Sequence, residues 1–561
     1  MKKKSDPANT INSLLDVSCQ RFSSQPALAM AFQKPITYGE MHDKVFLLAT
    51  ALRAAGIRAK DKVAILAENS PNWGIAYFAI VRLGAIAVPI LPDFPETDVR
   101  HVLVDAHVKM LFITRRQIEK IYELADHHLK KIITLDNTLP AVQLDLVETF
   151  DTFLNRTETL SAKKREKVKT AQAVSGDDLA SIIYTSGTSG HSKAVMLRHS
   201  NLHANVNSAN QLFGARKEWT FLSILPMSHT YEFTIGFLLP LLNGARVVYA
   251  GKSPTPTILE RICRKEKPEV MCVVPMVIEK IHKKRVLATI ENSALLKIAT
   301  RMPLLRKKIH RKIGRKLIDF FGGRLKLFAI GGAPMNIETE KFLYEANFPY
   351  IFGYGLTETS PLLSGGPLND STIAVGTTGK PVPGVEIKVV DPDPRTGIGE
   401  IHARGSNVMK GYFNNPEATQ ETIDSQGWLA TGDLGKLDSQ NNLMVTGRCK
   451  SVIVLSHGEN IFPETIEEKI NSDIHVAESL VIENDNRLEA RVYLDYDLID
   501  QQIRRKTPQQ RQEHIDQIFK KLHKSVNSQL PAYSKIYKFF ERKEPFIKTA
   551  THKIKRYLYT N

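Results

Sequence analysis

Short apolar runs alternate with longer amphipathic stretches through the first half of this chain, and this alternation restricts the fold more than any other feature. The runs at 62–67, 85–90, 110–114 and 131–135 read KVAILA, AIAVPI, MLFIT and KIITL. Runs of this length are typical of strands that are buried on both faces, with crossover helices between them. The pattern therefore predicts an α/β fold in which helices cover the sheets.

The sequence pattern changes in the rest of the chain, and the changes predict further subdomains. At 561 residues the chain is longer than one hydrophobic core normally accommodates. Past Gly376, short strands separated by Gly, Pro and Asp turns predict a small β-rich subdomain. Near Arg448 the pattern changes again, to that of a compact α+β domain. We predict a large N-terminal domain, residues 1–447, with two α/β sheets and the β-rich subdomain, followed by a small C-terminal domain, residues 448–561.

Neither the cysteines nor the apolar runs indicate a secreted, zinc-binding or membrane-spanning protein. The four cysteines form no CxxC pair and no cluster with histidine, and no apolar segment follows the N-terminal MKKK. A membrane span needs about 20 apolar residues, and Arg82 interrupts one candidate while His229 and Glu232 interrupt the other. We expect a cytosolic location, with peripheral attachment to the inner face of the membrane left open.

The net charge of +17 indicates anionic partners such as nucleotide phosphates, coenzyme A, acidic lipid or nucleic acid. The excess lies at 163–167, at 280–326 and in the last hundred residues. These stretches are either solvated helix faces or contacts with a membrane surface or coenzyme A. A nucleic-acid-binding protein is the alternative from another class. It would need basic residues interleaved with exposed aromatics or a reading module, and since neither is evident we expect no nucleic-acid partner.

The segment YTSGTSGHSKAVML at 184–197 is the strongest chemical signal. An apolar strand runs into a loop dense in Gly, Ser and Thr, followed by Lys193 and a predicted helix. Glycines let backbone amides converge on an anion, and hydroxyls with a lysine add further donors. The Walker A spacing is absent. The segment therefore predicts a phosphate-binding loop of another type.

This loop resembles the phosphate-binding loop of the adenylate-forming superfamily, which includes acyl-coenzyme A synthetases, luciferases and the adenylation domains of peptide synthetases. It departs from the common form at Ser189, Ser192 and Ala194, where Thr, Pro and Gly are usual. The resemblance implies that the loop surrounds the phosphates of ATP. The residues implied for this role are Thr185, Ser186, Gly187, Thr188, Ser189, Gly190 and Lys193.

Two further segments resemble the nucleotide site of that superfamily. In GYGLTETSP at 353–361, Glu358 is a carboxylate suited to Mg²⁺, and the ring of Tyr354 can stack on a purine. The resemblance assigns the metal to Glu358 and Thr185. AIGGAPM at 329–335 resembles the strand and turn that lie along adenine. The nucleotide-binding residues implied by these segments are Gly331, Gly332, Ala333, Tyr354, Gly355 and Thr357.

The ribose contacts and the hinge are implied by TGDLG at 431–435 and by the segment 447–467. The Asp433 carboxylate can accept both ribose hydroxyls, and Arg448 adds a further ribose contact. Lys450 occupies the pivot about which the family's mobile C-terminal domain swings. Ser451 and the pair His457-Gly458 replace the acidic residue and the Gly-Gly pair that are common there.

The reacting end of the site is implied by two short segments. KTATHKIKR at 548–556 resembles the motif whose lysine, Lys553, binds the substrate carboxylate and the α-phosphate; His552 replaces a usual Gly. LPMSHTYE at 225–232 resembles the element in which His229 lines the acyl pocket. On the residues alone, a packed core histidine is the alternative interpretation.

The resemblance extends from TYGEM at 37–41 to the last ten residues, with the motifs in the family's order. It implies an enzyme that joins a carboxylic acid to AMP and then to the thiol of coenzyme A, using ATP and Mg²⁺. The basic stretch that precedes the glycines at 331–332 is most similar to long-chain fatty acid–CoA ligases, so a fatty acid is the expected substrate. Three alternatives stay open: acyl carrier protein as the acceptor, another carboxylic acid, and a catalytically silent member.

Overall fold

The computed structural model describes residues 9–122, 129–140, 146–157, 174–185, 193–251, 254–291, 293–366, 368, 370–455, 459–503, 507–549 and 553–560. It confirms the α/β fold class, with two large sheets, small antiparallel sheets and a C-terminal α+β region. The four apolar runs in the first half are all strands, as predicted.

The first large sheet has eight strands, and it is parallel except at one edge. In spatial order its strands are Gly411–Tyr412, Lys193–Arg198, Leu179–Thr185, Ile86–Ile90, Lys62–Leu66, Met110–Ile113, Lys131–Thr134 and Val147–Thr149. The first two of these pair antiparallel with their neighbours. The long runs of apolar residues follow from burial on both faces.

The helix predicted directly after Lys193 is wrong, because residues Lys193–Arg198 form a strand and the helix begins only at His199. Ala, Met and Leu in this segment favour a helix when considered locally. The backbone instead pairs on both sides, with Leu179–Thr185 and with Gly411–Tyr412. Strand pairing with segments distant in the chain overrides a weak local preference.

The second large sheet has seven strands, parallel except for one edge strand. In spatial order they are Tyr350–Phe352, Leu327–Ile330, Val270–Val273, Thr220–Ser223, Arg246–Tyr249, Pro26–Met30 and Ile36–Thr37. Parallel strands need crossover connections, and helices supply them here.

Helices cover both large sheets, and several begin at a residue that caps them. The helix Tyr38–Ala54 starts with a capping box, in which Thr37 accepts from the Glu40 amide and the Glu40 carboxylate accepts from the Thr37 amide. The other helices of this region are Ile11–Arg21, Pro71–Arg82, Glu96–Asp105, Arg115–Ile121, Phe150–Asn155, His199–Leu212, Glu232–Leu238, Leu239–Leu242, Pro256–Glu266, Pro275–Ile281, His282–Leu287, Ala288–Glu291, Ala294–Ala299, Pro303–Phe320, Ile337–Glu345 and Thr357–Thr359.

The two apolar stretches considered as membrane spans lie in the protein interior. The helix Pro71–Arg82 packs in the main core with Trp73, Tyr77 and Phe78 fully buried, and the helix Glu232–Leu238 is buried along its whole length. Within the described ranges, no helix combines the length and the apolar character that crossing a bilayer requires.

Small antiparallel sheets follow the large ones, as predicted for the β-rich subdomain. One sheet has four strands, Val385–Val390, Gly399–Gly405, Leu429–Leu437 and Leu443–Arg448. A second has three, Tyr354–Gly355, Leu362–Gly365 and Lys380–Pro381. The helix Pro416–Thr422 lies in the chain between the second and third strands of the four-stranded sheet.

The C-terminal region is an α+β unit with a cluster of buried apolar side chains of its own, which includes Ile470, Val492 and Leu522. Its strands are Ile453–Val454, Asn460–Ile461, Val476–Asn484, Arg487–Leu494 and Lys538–Arg542. Its helices are Pro463–Asn471, Cys449–Ser451, Tyr496–Gln502, Pro508–Asn527, Ala532–Ser534 and Arg556–Leu558. The boundary after residue 447 and the mobility of this region stay predictions.

Candidate active site

A continuous cavity of about 2060 Å³ lies where the large sheets, the small sheets and the C-terminal region meet. Every predicted site residue within the described ranges lines it: Thr185, Lys193, His229, Gly331, Gly332, Ala333, Tyr354, Gly355, Thr357, Glu358, Asp433, Arg448 and Lys553. The pivot residue Lys450 lines it as well. Ser186, Gly187, Thr188, Ser189 and Gly190, with His457, Gly458 and His552, lie outside the described residues.

The topology explains why residues so far apart in the chain meet. Thr185 is the last residue of one strand, and Gly331 directly follows the strand Leu327–Ile330. Tyr354 follows the strand Tyr350–Phe352. In open α/β sheets, ligands bind in the crevice outside the carboxyl ends of the strands. Loops from both large sheets therefore open into the same crevice.

Asp433, Arg448 and Tyr354 form a hydrogen-bonded group at one side of the cavity. Antiparallel pairing places Asp433 opposite Arg448, and the Arg448 Nε lies 3.1 Å from the Asp433 Oδ1. The Tyr354 hydroxyl donates to the other carboxylate oxygen, Oδ2, at 2.7 Å. Burial and the charge of Asp433 raise the pKa of Tyr354 well above its usual value. A carboxylate has about four acceptor positions, so these contacts orient Asp433 and leave capacity for two hydroxyls.

Glu358, Tyr412 and Lys193 form a second group. The Tyr412 hydroxyl donates to the Glu358 Oε1 at 3.0 Å, and the Lys193 Nζ lies 4.5 Å from the centroid of the Tyr412 ring. Burial and the negative charge of Glu358 raise the pKa of Tyr412, so it remains a donor. Thr185 lies on the strand that pairs with Lys193, and its hydroxyl donates to the Lys193 carbonyl at 3.2 Å.

The fit of this group to Mg²⁺ follows from its donor set. Within the described ranges, no three His, Cys, Asp or Glu side chains are arranged to hold a metal ion alone. Mg²⁺ instead binds through one or two carboxylates together with substrate phosphates. Glu358 is half-buried and lines the cavity, and among the residues that the structure describes, Tyr412 donates to one of its two carboxylate oxygens. A single oriented carboxylate of this kind suits a metal that the nucleotide shares.

His229 is a neutral imidazole whose tautomer is set by the backbone. The Tyr231 amide donates to its Nδ1 at 3.2 Å, so the proton of the neutral ring sits on Nε2. Burial and the positive charge of Lys553 lower the pKa of His229 to about 4. The ring therefore brings a neutral N–H donor, and no charge, to the cavity at physiological pH.

Lys553 reaches the cavity from the C-terminal end of the chain. The Lys553 amide donates to the Thr549 hydroxyl at 3.2 Å, and the Thr549 amide donates to the Lys553 carbonyl at 2.8 Å. Burial and Arg448 lower the pKa of the Lys553 amine, whereas Asp433 and Glu358 oppose that shift. Protein atoms surround the Lys553 amine, but the Lys553 side chain is still accessible to solvent. It is accessible because it faces the cavity and not a packed core.

The glycines of the adenine and nucleotide segments have identifiable structural reasons. Gly332 has a φ of +85°, which favours glycine, and it lies on an exposed turn with Ala333. A Cβ on Gly355 would lie 1.9 Å from the carbonyl oxygen of Pro361. Both positions let the backbone adopt a path that a larger residue would disturb.

Two residues in this region were not singled out from the sequence. Tyr412 orients Glu358, but its local sequence does not distinguish it from any packed aromatic; only the strand pairing of Gly411–Tyr412 with residues 195–196 brings it here. Lys283, in the helix His282–Leu287, contacts the C-terminal region by donating to the carbonyls of Asn471, Asp473 and Val476. In the sequence, Lys283 was distinguished only by its place in the basic stretch 280–326.

Comparison with known proteins gives similar chains along most of the sequence. A family model described as AMP-binding enzyme matches residues 15–413. The chain is 29% identical over 519 residues to the long-chain-fatty-acid–CoA ligase heimdall of Drosophila melanogaster, across 86% of this chain and 75% of that protein. It is 29% identical over 472 residues to the long-chain-fatty-acid–CoA ligase FadD15 of Mycobacterium tuberculosis, across 80% and 75% of the two chains. A solved structure of the anthranilate CoA ligase AuaEII in complex with anthranoyl-AMP shares the fold with a TM-score of 0.79 at 20% identity, across 98% and 96% of the two chains.

Proposed function

This chain belongs to the AMP-binding enzyme family, within the superfamily of adenylate-forming acid–thiol ligases, and from that premise we propose that it activates a medium- to long-chain fatty acid and transfers the acyl group to coenzyme A. The observation that carries the proposal is the convergence of Lys193, Glu358, Asp433 and Lys553 on one cavity, although 360 positions separate the first from the last. ATP, Mg²⁺ and coenzyme A are the partners that the proposal requires.

In the first step, a carboxylate oxygen of the acid attacks the α-phosphorus of ATP. The bond between that phosphorus and the bridging oxygen breaks, and pyrophosphate leaves with the electron pair. Lys553 stands between the acid and the phosphate, where a cation reduces the repulsion between two anions. The anions would raise the lowered pKa of its amine again and keep it protonated.

The phosphate side of the site depends on Lys193 and on the group around Glu358. Lys193 supplies a cation to the pyrophosphate, and Glu358 with Thr185 would hold Mg²⁺, which neutralises phosphate charge when bound. Asp433 and Arg448 hold the ribose, and the turn at Gly331, Gly332 and Ala333 lies along the adenine. Thr357 faces the nucleotide phosphates, and Tyr354 packs against the purine from a position that its bond to Asp433 orients.

In the second step, the thiol of coenzyme A attacks the carbonyl carbon of the acyl-adenylate. The bond between that carbon and the phosphate oxygen breaks, AMP leaves with the electron pair, and the thiol proton passes to solvent. The neutral His229 donates from Nε2 to the acyl oxygen and fixes its orientation. Lys553 must withdraw to admit the thiol, which requires the region after Lys450 to rotate, a conformational step of the kind that often limits turnover.

The fatty-acid specificity rests on the apolar part of the cavity. Two helices supply it, His199–Leu212 and the helical segment Glu232–Leu242, and the described residues that they contribute are all apolar. These residues are Ala209, Leu212, Ile235 and Leu239, with Phe213 beside them. An alkyl chain gains about 0.8 kcal/mol for each CH₂ group buried against such a wall. A small aromatic acid would leave much of it empty.

The function is tested by pyrophosphate exchange with a panel of carboxylic acids of increasing chain length. We expect exchange that rises with length up to a medium or long chain. The exchanging acids are then offered coenzyme A and acyl carrier protein in competition, which separates the two acceptors. Absence of exchange with every acid would favour a catalytically silent member, and a preference for anthranilate-like acids would contradict the fatty-acid proposal.

The role of Lys553 is tested by measuring the two half-reactions separately. Lys553→Ala should slow adenylate formation about 100- to 1000-fold, the usual loss when a preorganised electrostatic group is removed. Thioester formation from supplied acyl-adenylate should stay near the wild-type rate. Lys555→Ala is the matched control, because Lys555 lies two residues away and does not line the cavity. Loss of both half-reactions, or of neither, would refute the role.

A further inference from the structure

Large apolar side chains protrude from one surface segment, residues 295–305. Leu295 is 82% exposed and Leu304 is 79% exposed. Ile298, Met302 and Leu305 are exposed beside them. Scattered single apolar residues are normal at a protein surface, but a contiguous group marks a site of contact.

The helix Ala294–Ala299 has no buried residue at all. A helix of this length gains little from its own hydrogen bonds and is marginal in water without packing against a partner. The helix Pro303–Phe320 that follows buries only Gly314 and Leu317. Within the described part of the chain, nothing covers the apolar side chains of this segment.

Basic side chains surround these apolar residues. Between 293 and 318 the sequence contains no Asp or Glu. Eight Lys and Arg side chains here are exposed, and within the ranges that the structure describes no salt bridge involves them. They are Lys297, Arg301, Lys307, Lys308, Arg311, Lys312, Arg315 and Lys316.

Helix geometry puts Leu304 on the same face as three of the lysines. Leu304, Lys308, Lys312 and Lys316 recur every fourth residue of the helix Pro303–Phe320, so they lie along one side. The opposite side carries the buried Leu317. The apolar residues lie at the start of this helix and in the short helix before it. We call the exposed residues 295–316 the basic-apolar face.

We propose that the basic-apolar face docks onto an anionic lipid bilayer, with its apolar side chains between the headgroups and its cations on the phosphates. Amphipathic helices with this composition lie in the plane of the membrane interface. Each Lys or Arg near an anionic surface strengthens attachment about fivefold, and the exposed leucines add burial in the acyl region. The chain would rest on the bilayer without crossing it.

Charge distinguishes the bilayer from other occupants of this face. If a second copy of the chain bound this face, its eight Lys and Arg side chains would lie against the same eight side chains of the first copy. Like charges at that distance repel each other. A nucleic acid would satisfy the cations, but it offers no apolar phase for Leu295, Ile298 and Leu304, and this face has no exposed aromatic ring for base stacking. Of these three occupants, the anionic bilayer is the one that satisfies both kinds of side chain together.

The test is co-sedimentation of the full chain with vesicles of phosphatidylcholine, alone or with about a third phosphatidylglycerol, the anionic lipid that supplies the surface potential. We expect binding to the anionic vesicles that weakens with salt. Lys312→Gln with Lys316→Gln should weaken it about 25-fold, at about fivefold for each charge. Leu295→Ser with Leu304→Ser should weaken it at least about tenfold.

The matched control is Lys520→Gln with Lys524→Gln, two exposed lysines four residues apart on the helix Pro508–Asn527. The same charge is removed there, and binding should change less than about twofold. Thermal unfolding and pyrophosphate exchange without vesicles should be unchanged in all three double variants. Equal loss in the control would mean that net charge alone causes attachment. If light scattering shows a dimer that Leu295→Ser with Leu304→Ser dissociates, the face binds a second copy of the chain. That result would overturn the proposal, and so would equal loss of vesicle binding in the control.

Discussion

Replacing Lys283 with methionine should change the balance between the two half-reactions. The ammonium of Lys283 donates to the carbonyls of Asn471, Asp473 and Val476, at 3.3 Å for the last two. Asn471 is the last residue of the helix Pro463–Asn471, where the helix dipole is negative, and Asp473 and Val476 follow it in the chain. We therefore predict that Lys283 holds the C-terminal region in the arrangement that places Lys553 in the cavity.

The size of the effect follows from these contacts. Hydrogen bonds from a charged donor contribute about 1.5–3 kcal/mol, and the half-exposed position of Lys283 with two long bonds favours about 2 kcal/mol for the group. Methionine keeps the length of the stem and removes the charge. At 1.36 kcal/mol for each factor of ten, the arrangement with Lys553 in the cavity should lose about 30-fold in relative population.

Pyrophosphate exchange should therefore slow by up to about 30-fold in Lys283→Met, while thioester formation from supplied acyl-adenylate stays constant or rises. Lys283→Arg should restore most of the exchange. Lys284→Met is the matched control, because Lys284 is exposed and lies 3.6 Å from Asp495 of the same region. An exposed ion pair contributes about 0–1 kcal/mol, so this variant should change exchange less than about fivefold. Equal slowing of both half-reactions in Lys283→Met would refute the reasoning, and so would no change in either.

Three further predictions concern Glu232, Asp433 and Gly355. Burial raises the pKa of Glu232 to about 8 from 4.5, so the folded protein keeps a proton that the unfolded chain loses, and stability should fall as pH rises from about 4.5 to about 8. Glu232→Gln should remove that fall and add a few kcal/mol in urea unfolding at pH 8; an unchanged pH profile would contradict the buried acid. Asp433→Asn should raise the KM for ATP at least about tenfold, because it weakens a charge-assisted site, and Tyr354→Phe should raise it less; equal KM values for all three proteins would exclude a ribose contact. Gly355→Ala places a Cβ 1.9 Å from the carbonyl oxygen of Pro361, and calorimetry should show a lower Tm together with lost exchange; a variant of wild-type stability and activity would show that this close approach is dispensable.

The parts of this protein that the sequence predicted are those encoded by neighbouring residues. The apolar runs predicted the buried strands, because burial on both faces needs unbroken apolar stretches. Glycine, hydroxyl and charged residues in short segments predicted the loops that line the cavity. Within such segments, a residue's chemistry and its backbone preference act over a few positions, so they can be read locally.

Tertiary structure decided what depends on residues distant in the chain. Lys193–Arg198 is a strand because two other segments pair with it, against its own helical preference. Tyr412 becomes a partner of Glu358 only through that pairing. Lys283 and Lys553 acquire their positions when the C-terminal region packs against the large sheets. The physical reason is that a local pattern specifies which face of an element is buried, whereas the identity of its neighbour is set by contacts that form only when the whole chain has folded.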